Sequence, residues 1–155
     1  MNVFKYKTIL DEQRYPYIAE AAKYTVDGRK RIMNCPQKIA EFMSESVGLK
    51  HEAEEYFWAV AFNASNQLIG LFEVSHGSAR ATVVSPREVY QKLLMLGAVS
   101  WVAVHNHPSG NNSPSSEDKI ITEKMLEAGK LLDITLLDHI IIGDEYYSFK
   151  EKGNM

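Results

Sequence analysis

His105-Asn106-His107-Pro108-Ser109-Gly110-Asn111-Asn112-Ser113-Pro114-Ser115-Ser116-Glu117-Asp118 decides how the rest of the chain reads. The run before it, Ala98-Val99-Ser100-Trp101-Val102-Ala103-Val104, is apolar and predicts a buried strand. Alternate residues of a strand share a face, so His105 and His107 turn both imidazoles to one side and Asn106 faces the other. Pro108 ends the strand, and Gly110 to Pro114 is turn chemistry. A helix is predicted to start near Ser115, with Asp118 in its first turn. Two imidazoles and a carboxylate, with nothing obliging a fourth protein ligand, make an open zinc site whose remaining position holds water.

Each fragment has a plainer reading when taken alone. His-x-His on a strand is a weak signal, and Ser115-x-x-Asp118 by itself is a capping box with no chemistry. His-Asn-His also spells the name of a nuclease class, but that class does not take its residues from one contiguous tripeptide. The joint spacing His-x-His-x7-Ser-x2-Asp, across strand, loop and helix, is what carries information. It resembles the JAMM signature of the MPN+/JAB-domain zinc metallopeptidases, and the wording His-Asn-His-Pro-Ser-Gly resembles the bacterial RadC family.

The strand upstream of the motif has its own puzzle. Glu73 sits inside Leu71-Phe72-Glu73-Val74, where an unpaired carboxylate would be costly to bury. An amphipathic strand with Glu73 on its wet side removes the difficulty. The resemblance implies a different role, since an MPN+ metallopeptidase takes a glutamate from an upstream strand. The context Glu-x3-Gly-Ser is present as Glu73-Val74-Ser75-His76-Gly77-Ser78, so Glu73 maps onto the general base. His76 reads as a rim histidine.

Composition bounds the rest. The chain has 155 residues, 45% hydrophobic and 24% charged, which suits one domain with a real core. One cysteine, Cys35, rules out an internal disulfide and a Cys-rich zinc site. A net charge of -3 argues against a strongly basic nucleic-acid footprint. No apolar stretch approaches the ~20 residues that span a bilayer, and the polar start Met1-Asn2-Val3-Phe4-Lys5 does not read as a signal peptide. The expected location is cytoplasmic, with no membrane partner.

Along the chain, Phe4 to Leu10 alternate and predict an edge strand. From Asp11 to Met33 the pattern is poor: Glu20-Ala21-Ala22-Lys23 suggests a helical turn, Asp27-Gly28 a turn, and Arg29-Lys30-Arg31 a solvated loop. Residues 1–35 thus read as an extended N-terminal arm, packed on the domain or on a partner, and 36–155 as the domain. Pro36 to Val47 predicts a helix with Ile39, Phe42, Met43 and Val47 on one face, stopped by Gly48. Tyr56 to Phe62 predicts a central strand, and Leu68 to Ser75 its hairpin partner. Ala79 to Val84 predicts a short strand. Ser85-Pro86-Arg87-Glu88 then announces a helix through a cap and capping box, buried through Val89, Leu93 and Leu96 and ended by Gly97. Ser116 to Leu132 predicts a helix with Ile121, Met125, Ala128 and Leu132 on its stripe, followed by strands at 134–142 and 145–149.

This order gives an α/β fold in mixed α+β layers, a sheet covered by helices. The resemblance, from about residue 36 to 153 and strongest over 85–149, implies the JAB/MPN fold with a layout akin to the cytidine deaminases. Deaminase chemistry is not expected, because the Pro-Cys-x-x-Cys half of that zinc signature is missing. The resemblance further implies zinc held by His105, His107 and Asp118, with Glu73 moving the proton of the zinc's water and Ser115 steadying the water or the oxyanion. The implied reaction is hydrolysis of an amide or isopeptide bond in a peptide or protein substrate that the sequence does not name. Two other readings stand beside it: a DNA-processing accessory, which the RadC name implies, and a scaffold that binds metal without turnover. Many RadC-like proteins carry an N-terminal helix-hairpin-helix, and residues 1–35 are too short and lack its Gly-rich hairpin, so DNA binding is expected to be weak. His139 reads as structural or as a neighbour of the ligands. A dimer is compatible with the sequence, which does not fix the oligomeric state.

Overall fold

The structure is a computed structural model that describes residues 2–25, 35–77 and 84–155. The strands β1 (Asn2–Leu10), β2 (Pro16–Thr25), β3 (Glu55–Phe62), β4 (Leu68–Gly77), β5 (Ser100–Asn106), β6 (Thr135–Ile142) and β7 (Tyr146–Ser148) form one sheet. Their order across it is β2-β1-β4-β3-β5-β6-β7. β1 runs parallel to β4 and β5 parallel to β6, while the remaining neighbours are antiparallel. This is the mixed α/β sheet that the sequence predicts. Every residue of β5 is buried, because both of its faces are covered.

On one face lies the helix α1 (Pro36–Glu41), which widens into a π-helical turn at Phe42–Ser46. Ile39, Phe42 and Met43 pack there against Trp58, Val60, Val102, Val104 and Ile140. The other face is covered by α2 (Pro86–Leu96) and α3 (Ser116–Leu132), through Val89, Leu93 and Met125 over Ala59, Trp101 and Ala103. Tyr90 ties both helices to β5: its hydroxyl donates to the Met125 carbonyl at 2.6 Å and accepts from Trp101 Nε1 at 3.3 Å.

Several expectations are corrected. Glu20 to Lys23 is not a helical turn but part of β2, because its backbone pairs with β1 (Phe4 with Lys23, Tyr6 with Glu20), and a ladder outweighs a weak local preference. β1 is therefore not an edge strand; β2 covers it. Ser85 does stand at the start of α2, but its side chain makes no capping bond. The Glu88 N–H instead bonds the Ser85 carbonyl at 3.1 Å. The buried stripe of α3 is Asp118, Thr122, Met125 and Gly129, whereas Leu132 is 40% exposed. Of the strand predicted from Ala79 to Val84, residues 79–83 lie outside the described residues and Val84 is not in a strand, and the turn at Asp27-Gly28 and the basic triplet Arg29-Lys30-Arg31 also lie outside them. Among the described residues no helix is long and apolar enough to cross a membrane.

The loop after β5 is stapled to the β6–β7 turn. His107 N–H bonds the Ile142 carbonyl at 2.8 Å, and Asp144 N–H bonds the Gly110 carbonyl at 2.8 Å. A Cβ on Gly143 would lie 2.3 Å from the Gly110 carbonyl oxygen, so no side chain fits there while the staple holds. Gly143→Ala should therefore push the loop off the turn at a cost of about 1–3 kcal/mol. Thermal unfolding should show a Tm loss of about 2–4 °C per kcal/mol for a chain of this size.

Candidate metal centre

His105 ends in the sheet and His107 lies just past it, both projecting on the side of α3. The ring of His105 is stacked on Phe57, its cross-strand neighbour, at 6.0 Å between centroids and 12° between planes. Across from the histidines, Ser115 and Asp118 form a reciprocal cap at the start of α3. Ser115 Oγ accepts from Asp118 N–H at 3.0 Å, and the Asp118 carboxylate accepts from Ser115 N–H at 2.7 Å. The plainer reading of Ser-x-x-Asp is thus present, and it aims the Asp118 carboxylate at the imidazoles.

The three side chains converge closely. His105 Nε2 and His107 Nε2 are 3.0 Å apart, His105 Nε2 is 3.1 Å from Asp118 Oδ1, and His107 Nε2 is 3.4 Å from Asp118 Oδ2. The ligand atoms of a tetrahedral zinc site, with Zn–N at about 2.0–2.1 Å, are separated by about 3.3 Å. His107 Nδ1 must donate to the Asn111 carbonyl at 2.7 Å, which leaves Nε2 as a lone pair aimed inward. His105 Nδ1 is engaged with His139 at 2.8 Å, so its Nε2 is likewise the atom left for the centre. This cluster of His105, His107 and Asp118 fits a metal ion.

A proton can occupy the same space, and the pKa directions report it. The hydrogen bond with Asp118 raises the His107 pKa, against the opposing effect of burial. Burial works to raise the Asp118 pKa, but the hydrogen bonds with His105 and His107 overturn it and hold the carboxyl well below the usual carboxylate range. The centre therefore attracts cations, with proton and metal as competitors.

A family profile described as "RadC-like JAB domain" matches residues 33–154. The chain belongs to the RadC-like JAB domain family. It is 41% identical over 137 residues to a UPF0758 protein of Methanosarcina mazei, covering 88% of this chain and 59% of that one. It is also 41% identical over 123 residues to a UPF0758 protein of Geobacillus thermodenitrificans, covering 79% of this chain and 54% of that one. The chain thus spans little more than half the length of these relatives.

Glu73 is not brought to the centre of this RadC-like JAB domain. Its partner across the ladder is Trp58, which faces α1, whereas His105 pairs with Phe57, which faces α3. Glu73 Oε2 instead takes an ion pair from Lys5 Nζ at 2.6 Å, and its other oxygen lies 3.4 Å from His76. Lys5 in turn sits 4.8 Å above the Trp58 ring. A β-bulge sets this arrangement: Phe57 pairs with Ser75 and Trp58 with Glu73, so Val74 is the extra residue.

The sequence reading missed Glu55. It opens β3 two residues before Phe57, and continuing by two residues the antiparallel register that pairs Phe57 with His105 leads to the side of His107. Its charge is near enough to contribute to raising the His107 pKa. Asn106, on the opposite face, fixes the backbone around it. The Asn106 amide accepts from Tyr56 N–H at 2.8 Å and donates to the Glu54 carbonyl at 2.9 Å. The middle letter of His-Asn-His therefore holds the strand end that carries Glu55, while the outer two form the centre. Asn106 is 2% exposed, so Asn106→Ala should remove a buried amide and unpair the part-buried Tyr56 N–H and Glu54 carbonyl, costing about 1–3 kcal/mol of stability, measured by denaturant unfolding.

Proposed function

We propose that this domain is a zinc-dependent hydrolase of the JAMM metallopeptidase type, cleaving an amide or isopeptide bond in a peptide or protein. The observation that supports it is the convergence of two inward Nε2 lone pairs and an anionic carboxylate at the separations of a tetrahedral zinc site. His105, His107 and Asp118 would hold the zinc. When bound, zinc supplies Lewis acidity and lowers the pKa of water from 15.7 towards ~7.

The residues of this chain divide the remaining work. Glu55, on the side of His107, accepts the proton of the attacking water and passes it to the leaving amine. Ser115 uses its oxygen, not its proton, in the cap to Asp118, so its O–H can donate to the developing oxyanion. Asp118 stays anionic beside the first N–H groups of α3, where the helix dipole favours negative charge. The family membership supports a JAB-type hydrolase, and the net charge of -3 weighs against DNA as the substrate.

Metal analysis should find about one zinc per chain in the wild type and a large loss in His107→Ala. Equal zinc in both, or none in the wild type, would remove the reading. An unbiased peptide and isopeptide cleavage screen then separates the two glutamates. Glu55→Gln should keep its zinc and lose about 10²–10⁴-fold in turnover. Glu73→Gln should keep both zinc and turnover and lose only its half-buried pair with Lys5, about 1 kcal/mol or less. Activity that depends on Glu73 and ignores Glu55 would reverse the assignment. Tight, saturable duplex binding at physiological salt would favour a DNA-processing role instead.

A further inference from the structure

We propose that His139 and Thr122 are positioning residues that lock the tautomer of His105 and so keep its Nε2 lone pair turned to the centre; this rests on the metal-binding reading above.

The assignment follows from counting protons along a chain of contacts. Thr122 Oγ1 lies 2.6 Å from the Asp118 backbone carbonyl, which can only accept, so the single hydroxyl proton of Thr122 goes there. At its second contact, 2.6 Å from His139 Nδ1, the same oxygen can then only accept. His139 Nδ1 therefore carries a proton. The ring is 1% exposed, and its two nitrogens meet a hydroxyl oxygen and an imidazole, neither of which offsets a buried charge, so the ring is neutral and its other nitrogen is a bare lone pair. His139 Nε2 meets His105 Nδ1 at 2.8 Å, and the proton between them must belong to His105. A neutral imidazole with its proton on Nδ1 offers its lone pair at Nε2.

The circuit closes on a single residue. The Asp118 carbonyl fixes Thr122, Thr122 fixes His139, His139 fixes His105, and His105 Nε2 faces the Asp118 carboxylate at 3.1 Å. Thr122 lies one helical turn after Asp118 on α3, and His139 sits beside Ala103 on the neighbouring strand β6. Ring contacts set the plane of His139: it is stacked on Phe149 at 4.9 Å and meets Phe57 edge-on at 5.5 Å. The opposite direction of the chain is closed off. A proton on His139 Nε2 would point at His105 Nδ1, and His105 would then carry its own proton on Nε2, where a metal has to bind.

The test is Zn²⁺ affinity, by competition with a chelator of known strength, on the full chain. His139→Phe keeps the aromatic packing between Phe57 and Phe149 but removes both nitrogens. It should weaken zinc about 10–100-fold. Thr122→Val should weaken zinc in the same direction by freeing His139 to reverse, and Thr122→Ser, which restores the hydroxyl, should bind like the wild type. Imidazole ¹⁵N spectra of the wild type, with and without zinc, should show His139 neutral with its proton on Nδ1. Unchanged zinc affinity in both His139→Phe and Thr122→Val, or a proton on His139 Nε2, would overturn the proposal. Should His139→Phe fail to fold, the Thr122 pair and the wild-type spectra decide it. A wild type that takes no zinc would instead defeat the metal reading, while the His139 tautomer, readable without zinc, still decides whether the circuit exists.

Discussion

Two imidazole nitrogens 3.0 Å apart, with carboxylate oxygens 3.1 and 3.4 Å from them, repel one another unless positive charge lies among them. That electrostatic demand organises this domain. Each of the three side chains is held from behind: Asn111 behind His107, His139 behind His105, and the Ser115 N–H behind Asp118. The supports come from a loop, a strand and a helix start, so the cluster persists only while those elements stay in register. The staple between the loop and the β6–β7 turn serves this end, since Asn111 rides on that loop.

The alternation of β5 does two jobs at once. Its α3 side delivers His105, and its α1 side delivers Asn106, whose amide pins the start of β3. Because β3 lies next to β5, the pinned strand end carries Glu55 to the side of His107. Glu55 and the two histidines are thus carried by neighbouring strands of one sheet, and rigid elements hold such geometry better than mobile loops do.

The centre was legible in the sequence because its information is local. His105 and His107 share a face by strand period, and Asp118 follows from a capping signal at a readable helix start. Glu73 and Glu55 differ in a way that no local pattern carries. Glu55 opens the strand next to the motif strand and Glu73 lies one strand further out, and which side of the sheet each takes depends on the bulge at Val74 and on the register of Phe57 with His105. A one-residue shift turns every side chain to the other face. The stripe of α3 was displaced for a related reason. Apolar periodicity picks out Ile121 and Leu132, but Asp118 and Thr122 are polar residues buried by the site, so hydropathy ranks them as exterior. The β2 ladder was unreadable because its partner, β1, supplies the hydrogen bonds that the local sequence does not announce.

Asp118 shows how fold and site share atoms without conflict. Its N–H and one carboxylate oxygen close the cap with Ser115, its backbone carbonyl accepts from Thr122, and its carboxylate faces both histidines. The cap needs a hydrogen-bond acceptor, whereas the centre needs a negative charge. A neutral amide in place of the carboxylate could still accept at the cap, so the helix start does not depend on the charge. The charge itself is costly to bury, and Asp118 is only 8% exposed. Helix formation alone does not call for that cost. A cation shared with the two imidazole nitrogens, proton or metal, would offset it.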